Sequence, residues 1–108
     1  MAGAKLVVIY PRPADVDAFE RAYAEEHVPL AAEKIRGMTK FVATRVVGSP
    51  GGATPPFHRI AELHFPSVEA LREAAASAGA QEAVAHAVAI STGGEPILLI
   101  AEEETTTF

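Results

Sequence analysis

The sequence predicts an α+β fold, in which one antiparallel sheet carries its helices on a single face. Three observations predict it. The chain has 108 residues, enough for one hydrophobic core and too few for two. Its β-branched apolar runs and helix-periodic stretches follow one another as β-α-β-β-α-β, with the second helical stretch split in two. No repeat or low-complexity linker divides it, so residues 1–108 read as one domain.

Each element has its own justification. Lys5–Tyr10 is a β-branched run stopped by Pro11 and Pro13; it is apolar on both faces and so reads as a central strand. Asp17, with Glu20 three residues on, resembles a capping box and opens the first helix. Phe19, Tyr23, His27 and Leu30 recur at steps of four, four and three, which places them on one stripe. Pro29 has no N–H to return to the Glu25 carbonyl and pushes Val28 from helical angles, predicting a break near His27–Val28. The helix resumes over Ala31–Ile35 and ends at Gly37.

Thr39–Val47 alternates as a second strand, residues 48–56 are a Gly/Pro loop, and Phe57–Phe65 is a third strand. Ser67 caps a helix with the stripe Val68, Leu71, Ala75 and Ala78, ending at Gly79; a further short helix covers Ala80–Ile90. Gly93-Gly94 makes a turn before a fourth strand, Pro96–Ala101. This is the ferredoxin-like arrangement of a four-stranded antiparallel sheet. One feature does not fit a lone copy. In the fourth strand Ile97 and Leu99 point one way, Leu98 and Ile100 the other, and the chain has no spare element to cover the second face. A second copy is the simplest cover, so a homodimer through the open sheet face is expected.

Composition supports that expectation. Apolar residues make up 49% of the chain, yet 22 of its 108 residues are alanine, which buries little area. The core is thin for one copy. Without cysteine there is no disulfide, thiolate metal site or cysteine nucleophile. No signal peptide or membrane-spanning run is visible, so a cytoplasmic protein without membrane contact is expected. The net charge of −5 argues against nucleic acid, and much of it sits in Glu102–Glu104, beside a Thr-rich end read as a flexible tail over 102–108.

The chemistry rests on few residues. His27 shares a stripe with Tyr23 beside the Pro29 break, where a histidine is placed for proton transfer. A packing histidine that bonds the freed carbonyl has the same spacing, and both readings stand open. His86, two residues from both Val84 and Val88, is placed on the solvent side of its helix as a bystander. Alternation along the third strand puts Phe57, Arg59, Ala61, Leu63 and Phe65 toward the helices and His58, Ile60, Glu62 and His64 toward the open face. That second face is either an ordinary polar sheet surface or the polar lining of a mostly apolar ligand cavity, to which Tyr10 adds a hydroxyl. His58 and His64 are six residues apart, about 20 Å along a strand, and cannot share an ion. Glu62 and His64 alone are too few ligands, so no metal is expected. Nucleotide-binding, phosphate-binding and serine-hydrolase signatures are absent.

Together these residues carry a resemblance. Leu6–Tyr10-Pro11, the run Asp17-x-Phe19-x-x-x-Tyr23-x-x-x-His27-x-Pro29-Leu30, Gly37 ahead of the second strand, and Ile60-Ala-Glu-Leu-His-Phe65-Pro-Ser-x-Glu69-Ala70 resemble the EthD family, linked to ethyl tert-butyl ether degradation. The resemblance implies a dimeric α/β barrel and makes His27 the foremost functional residue. Relatives of that barrel include lactone isomerases, polyketide cyclases, cofactor-free monooxygenases and haem-degrading enzymes, and fold does not choose among them. His64 stands where such proteins commonly carry a bulky aromatic, so the substrate does not carry over. The expected activity is cofactor-free acid/base chemistry on a small apolar or aromatic catabolic or polyketide-like intermediate. His27 is the expected catalytic residue, and Tyr10, Tyr23, Glu62 and His64 the substrate-binding ones. The alternative is a non-catalytic small-molecule-binding or accessory protein of a degradation pathway.

Overall fold

The computed structural model describes residues 3–108. The strands β1 (Ala4–Pro11), β2 (Lys40–Arg45), β3 (Phe57–Phe65) and β4 (Ile97–Glu102) form one antiparallel sheet in the order β2-β3-β1-β4. The run that is apolar on both faces is thus a central strand, as its composition requires. The fold is α+β and ferredoxin-like. Its register sets two faces. Val8 sits opposite Ala61 and Leu98, and Leu6 opposite Leu63 and Ile100. These residues, with Tyr10 and Phe65, face the helices, and most of them are buried there. Lys5, Val7, Ile9, Ile60, Glu62, His64, Ile97 and Leu99 face the other way, and no helix of the described residues covers them.

One residue breaks the alternation. Tyr10 pairs with Arg59 but Pro11 with Phe57, so His58 is an extra residue in β3. Such a bulge re-aims a side chain. His58 is not on the open face: its ring meets Phe19 at 5.6 Å and its Nε2 lies 3.2 Å from Glu20.

The first helical stretch corrects several expectations. Asp15, not Asp17, is the cap, its carboxylate accepting from the Ala18 N–H of α1 (Val16–Ala22). The predicted break is absent. His27 and Val28 keep right-handed helical angles, and residues Tyr23–His27 form a single π turn that leads into α2 (Val28–Lys34). The Val28 N–H reaches back five residues to the Tyr23 carbonyl. The widened turn accommodates Pro29, which cannot bond Glu25, without interrupting the helix.

It also shifts the stripe. Phe19, Tyr23, His27, Ala31 and Ile35 are the buried residues, spaced by four throughout. In a plain α-helix four residues turn about 400°, so each step would drift by roughly 40°. A π turn rotates less per residue and removes part of that drift, which brings Ala31 rather than Leu30 into line. The helix ends at Lys34 and not at Gly37, because Ile35 turns to extended angles to reach the core.

Ser67 caps α3 (Val68–Ala75) as expected. Ser77, however, caps α4 (Ala78–Ile90), so Gly79 lies inside the first turn of α4 instead of ending α3. Its role is steric: a Cβ there would collide with the Lys34 carbonyl oxygen. Glu102 belongs to β4 and the Glu103 N–H donates to Gly3, so the free tail begins two residues later than expected. Among the described residues no helix is long and apolar enough to cross a membrane.

Candidate active site

The π turn and the central strand together bring one polar group into the core. Tyr10 is fully buried on the helix side of β1, and His27 reaches it from the π turn. Burying two polar rings requires partners for their heteroatoms. The Tyr10 hydroxyl lies 3.3 Å from His27 Nε2. Aromatic rings hold both in place. Tyr10 stands edge-on to Phe19 and Tyr23 at 5.2 and 5.6 Å, and Tyr23 lies against His27 at 5.8 Å and 27°. The bond that a packing histidine would make to the freed Glu25 carbonyl is replaced by side-chain partners.

The second partner is His86, which its spacing from the valines placed in solvent. Its Nδ1 lies 3.0 Å from His27 Nδ1, with the ring planes 8° apart. The ring centroids are 5.2 Å apart, longer than the nitrogen separation by about two ring radii, so the rings meet edge to edge in a common plane. The face of α4 that packs inward is made of Ala80, Ala83 and Ala87, while Val88 is 44% exposed. Measuring His86 from the valines therefore gave the wrong side. The signal that would have found it is its step of three from Ala83, on the flank of the alanine stripe. Beyond His86, a Glu26 oxygen lies 3.6 Å from its Nε2.

Electrostatics follow from burial. His27 is 6% exposed, and its pKa is brought down from 6.5 to about 4 by burial first and by His86 second. It is neutral at ordinary pH. Burial raises the Tyr10 phenol well above its usual range and pushes Tyr23 up to about 12, so both keep their protons. With His27 neutral, one arrangement of protons serves both of its partners. The Tyr10 hydroxyl donates to His27 Nε2 and His27 Nδ1–H to His86 Nδ1, which turns His86 Nε2 toward the Glu26 carboxylate 3.6 Å away, beyond hydrogen-bond length. The Tyr23 hydroxyl is buried and, among the described residues, has no hydrogen-bond partner.

These groups border a partly open apolar space of about 20 Å³ between helices and sheet, walled by Leu6, Val8, Ala83, Ala87 and Leu98 together with Tyr10 and His27. It is about the size of one water. A larger open hollow, about 250 Å³, lies against the 48–56 loop and has no imidazole or carboxylate in its lining. At the far end of α1, Glu20 holds Arg59 through two bonds of 2.7 and 3.0 Å, and the Arg59 guanidinium lies 5.0 Å from the centre of the Tyr23 ring. Arg59 chiefly holds the Glu20 carboxyl below its usual range.

Tyr10, Tyr23 and His27 are thus brought together, and Tyr10 faces the helices instead of the open-face lining. Glu62 and His64 are not part of this group. They lie on the opposite face of the sheet, where Glu62 pairs with Lys5 at 2.9 Å and stands 3.4 Å from His64 Nε2. The hydrogen bond from Lys5 chiefly lowers the Glu62 pKa. His64 is buried, and its Nε2 makes no hydrogen bond among the described residues. No three His, Asp or Glu side chains of the described residues converge enough to hold a metal ion.

Comparison with known proteins places this arrangement. The EthD domain model matches residues 11–89, the stretch that carries Tyr23, His27, Pro29 and His86. An uncharacterized 11.0 kDa protein from the thcB–thcC intergenic region of Rhodococcus erythropolis is 32% identical over 99 residues, covering 92% of this chain and 94% of that protein. The crystal structure of an ethyl tert-butyl ether d (EthD) family protein from Bacillus halodurans has a TM-score of 0.86 at 32% identity, covering 96% of this chain and all of that one. A dimeric ferredoxin-like protein of unknown function from Jannaschia shares the fold at 19% identity and a TM-score of 0.65, covering 95% of this chain and 100% of that chain. A family match over most of the chain, and a backbone shared almost from end to end with a solved member, establish that this chain belongs to the EthD family.

Proposed function

We propose that this protein is a homodimeric enzyme that moves a proton on a small apolar or aromatic carbonyl or lactone compound, without a cofactor. The observation that carries the reading is a neutral imidazole and a protonated phenol, 3.3 Å apart, at the wall of an apolar space. His27 Nε2 is the base. The Tyr10 hydroxyl, released from His27 when substrate arrives, donates to the oxygen on which charge develops. Tyr23 offers a buried hydroxyl that has no hydrogen-bond partner among the described residues. A substrate enters by parting α4 from the sheet, where only alanine side chains of that helix are buried.

A second copy covers the open sheet face. Support comes from Ile97 and Leu99, 40% and 49% exposed on that face, from the half-buried Val7, Ile9, Val42 and Ile60 beside them, and from the dimeric relative of the same fold. Glu62 and His64 then lie between the two sheets and contact ligand only if a second site opens there.

The test uses 5-nitrobenzisoxazole, a small aromatic compound that opens when a base removes its ring proton. The wild type is expected to accelerate the reaction, and His27→Ala to lose roughly 10²-fold or more of that acceleration. Binding without turnover, or full turnover in a folded His27→Ala, overturns the catalytic reading.

A further inference from the structure

We infer that His86 and Glu26 form a proton relay for His27, carrying the charge of the working base from a buried ring to a half-exposed one. This rests on the reading of His27 as a base. Three features of the geometry support it. First, the Tyr10 hydroxyl, His27 Nε2, His27 Nδ1, His86 Nδ1, His86 Nε2 and Glu26 follow one another in a line, with hydrogen-bond contacts of 3.3 and 3.0 Å and a longer approach of 3.6 Å to Glu26. Second, burial increases inward along it. The Glu26 and His86 side chains are 66% and 24% exposed, whereas His27 is 6% exposed and Tyr10 fully buried. Third, the side chains that meet the His27 ring are accounted for. His27 meets Tyr10 from β1, Tyr23 from its own turn and His86 from α4, and among the described residues only His86 of these has a carboxylate facing a ring nitrogen.

A buried imidazole is a poor base when the cation it forms stays where it is made, since a charge in a low-dielectric interior lacks solvation. Here it need not stay. When His27 Nε2 takes a proton from carbon, its Nδ1–H bond breaks and a new N–H bond forms at His86 Nδ1. The His27 ring is neutral again, now protonated at Nε2. The positive charge resides on His86, whose Nε2–H faces the Glu26 carboxylate and water. Reversing both transfers returns the proton to substrate carbon, so atoms and charge balance over an isomerisation. His27 is the catalytic residue and His86 and Glu26 act through it.

The experiment compares His86→Gln and Glu26→Gln with the wild type. Glutamine keeps an oxygen that accepts from His27 Nδ1–H but cannot take up the proton, so a structural role survives the change and a relay does not. Nitrogen NMR of the free wild type is expected to show His27 protonated at Nδ1, with scalar coupling across the bond to His86 Nδ1. In folded His86→Gln that Nδ1 proton is expected to exchange with solvent at least tenfold more slowly. Turnover of 5-nitrobenzisoxazole is expected to fall at least tenfold, and less in Glu26→Gln. Added imidazole is expected to restore part of it. Absence of the cross-bond coupling in the wild type, or wild-type exchange and turnover in His86→Gln, overturns the relay. A wild type that shows the coupling and the exchange effect but never turns over the probe sinks the catalytic reading and leaves only a proton path between His27 and His86.

Discussion

His27 stays neutral because charging it would place a cation among Tyr10, Tyr23 and a stripe of alkyl side chains. That has a consequence for stability. Between pH 6.5 and about 4 the unfolded chain binds a proton at residue 27 and the folded chain does not, so stability falls as pH drops through this window. Each pH unit crossed in that window costs about 1.4 kcal/mol, which brings the loss attributable to His27 to ~3 kcal/mol. Chemical denaturation at a series of pH values is expected to show it, and His27→Gln to flatten that limb. Tyr23 poses the opposite test. Its hydroxyl is buried without a partner among the described residues, so Tyr23→Phe removes a polar group that the fold does not use and is expected to keep or raise Tm. If the hydroxyl holds ligand, the same variant lowers turnover or affinity while Tm holds. A drop of more than about 1 kcal/mol in stability would show that the hydroxyl does have a structural partner.

At the scale of elements, the π turn is the feature on which the site depends. It keeps Phe19, Tyr23, His27, Ala31 and Ile35 in line, and so holds His27 opposite Tyr10 while Pro29 follows two residues later. Pro29 was legible in the sequence and signalled an irregularity at the right place. Whether a helix answers a proline by breaking or by widening one turn is decided by what it packs on, here the β1 face carrying Tyr10. The α4 helix shows the same limit. Its alanines announce a helix but not how close it comes. The Lys34 carbonyl approaches Gly79 so nearly that Gly79→Ala, which would favour an isolated helix by about 1 kcal/mol, must instead push α4 from α2. The variant is expected to be about 1–3 kcal/mol less stable in denaturant melts and to weaken the His27–His86 contact. A gain in stability would mean that the helices separate without strain.

For the whole molecule the question is what covers the sheet. Its β4 edge exposes Ile97, Leu98, Leu99 and Ile100 by 37–49%, on both faces at once. Exposed apolar edges of this kind invite association and are seldom left bare. Sedimentation at micromolar concentration is expected to give a dimer, and the double change Ile97→Lys with Leu99→Lys a monomer that keeps the helix-side core. A wild-type monomer would refute the covered face. Dilution to a monomer without loss of turnover would show that the second copy adds nothing to the His27 site.

Alternation and periodicity along the chain were sufficient for the strands, the central place of β1, the double-sided apolar edge and the stripe that carries Tyr23 and His27, because each depends on neighbours a few residues away. The places of His58 and His86, and the exclusion of Glu62 from the His27 site, were decided only in three dimensions. A bulge in β3 turned the first inward, a layer of alanines let the second reach His27 from 59 residues away, and the sheet itself separates the third from both. Sequence pattern specifies which face a side chain occupies on a regular element. Which elements approach closely enough for two rings to share a proton depends on packing between distant segments, and that information resides in the tertiary structure alone.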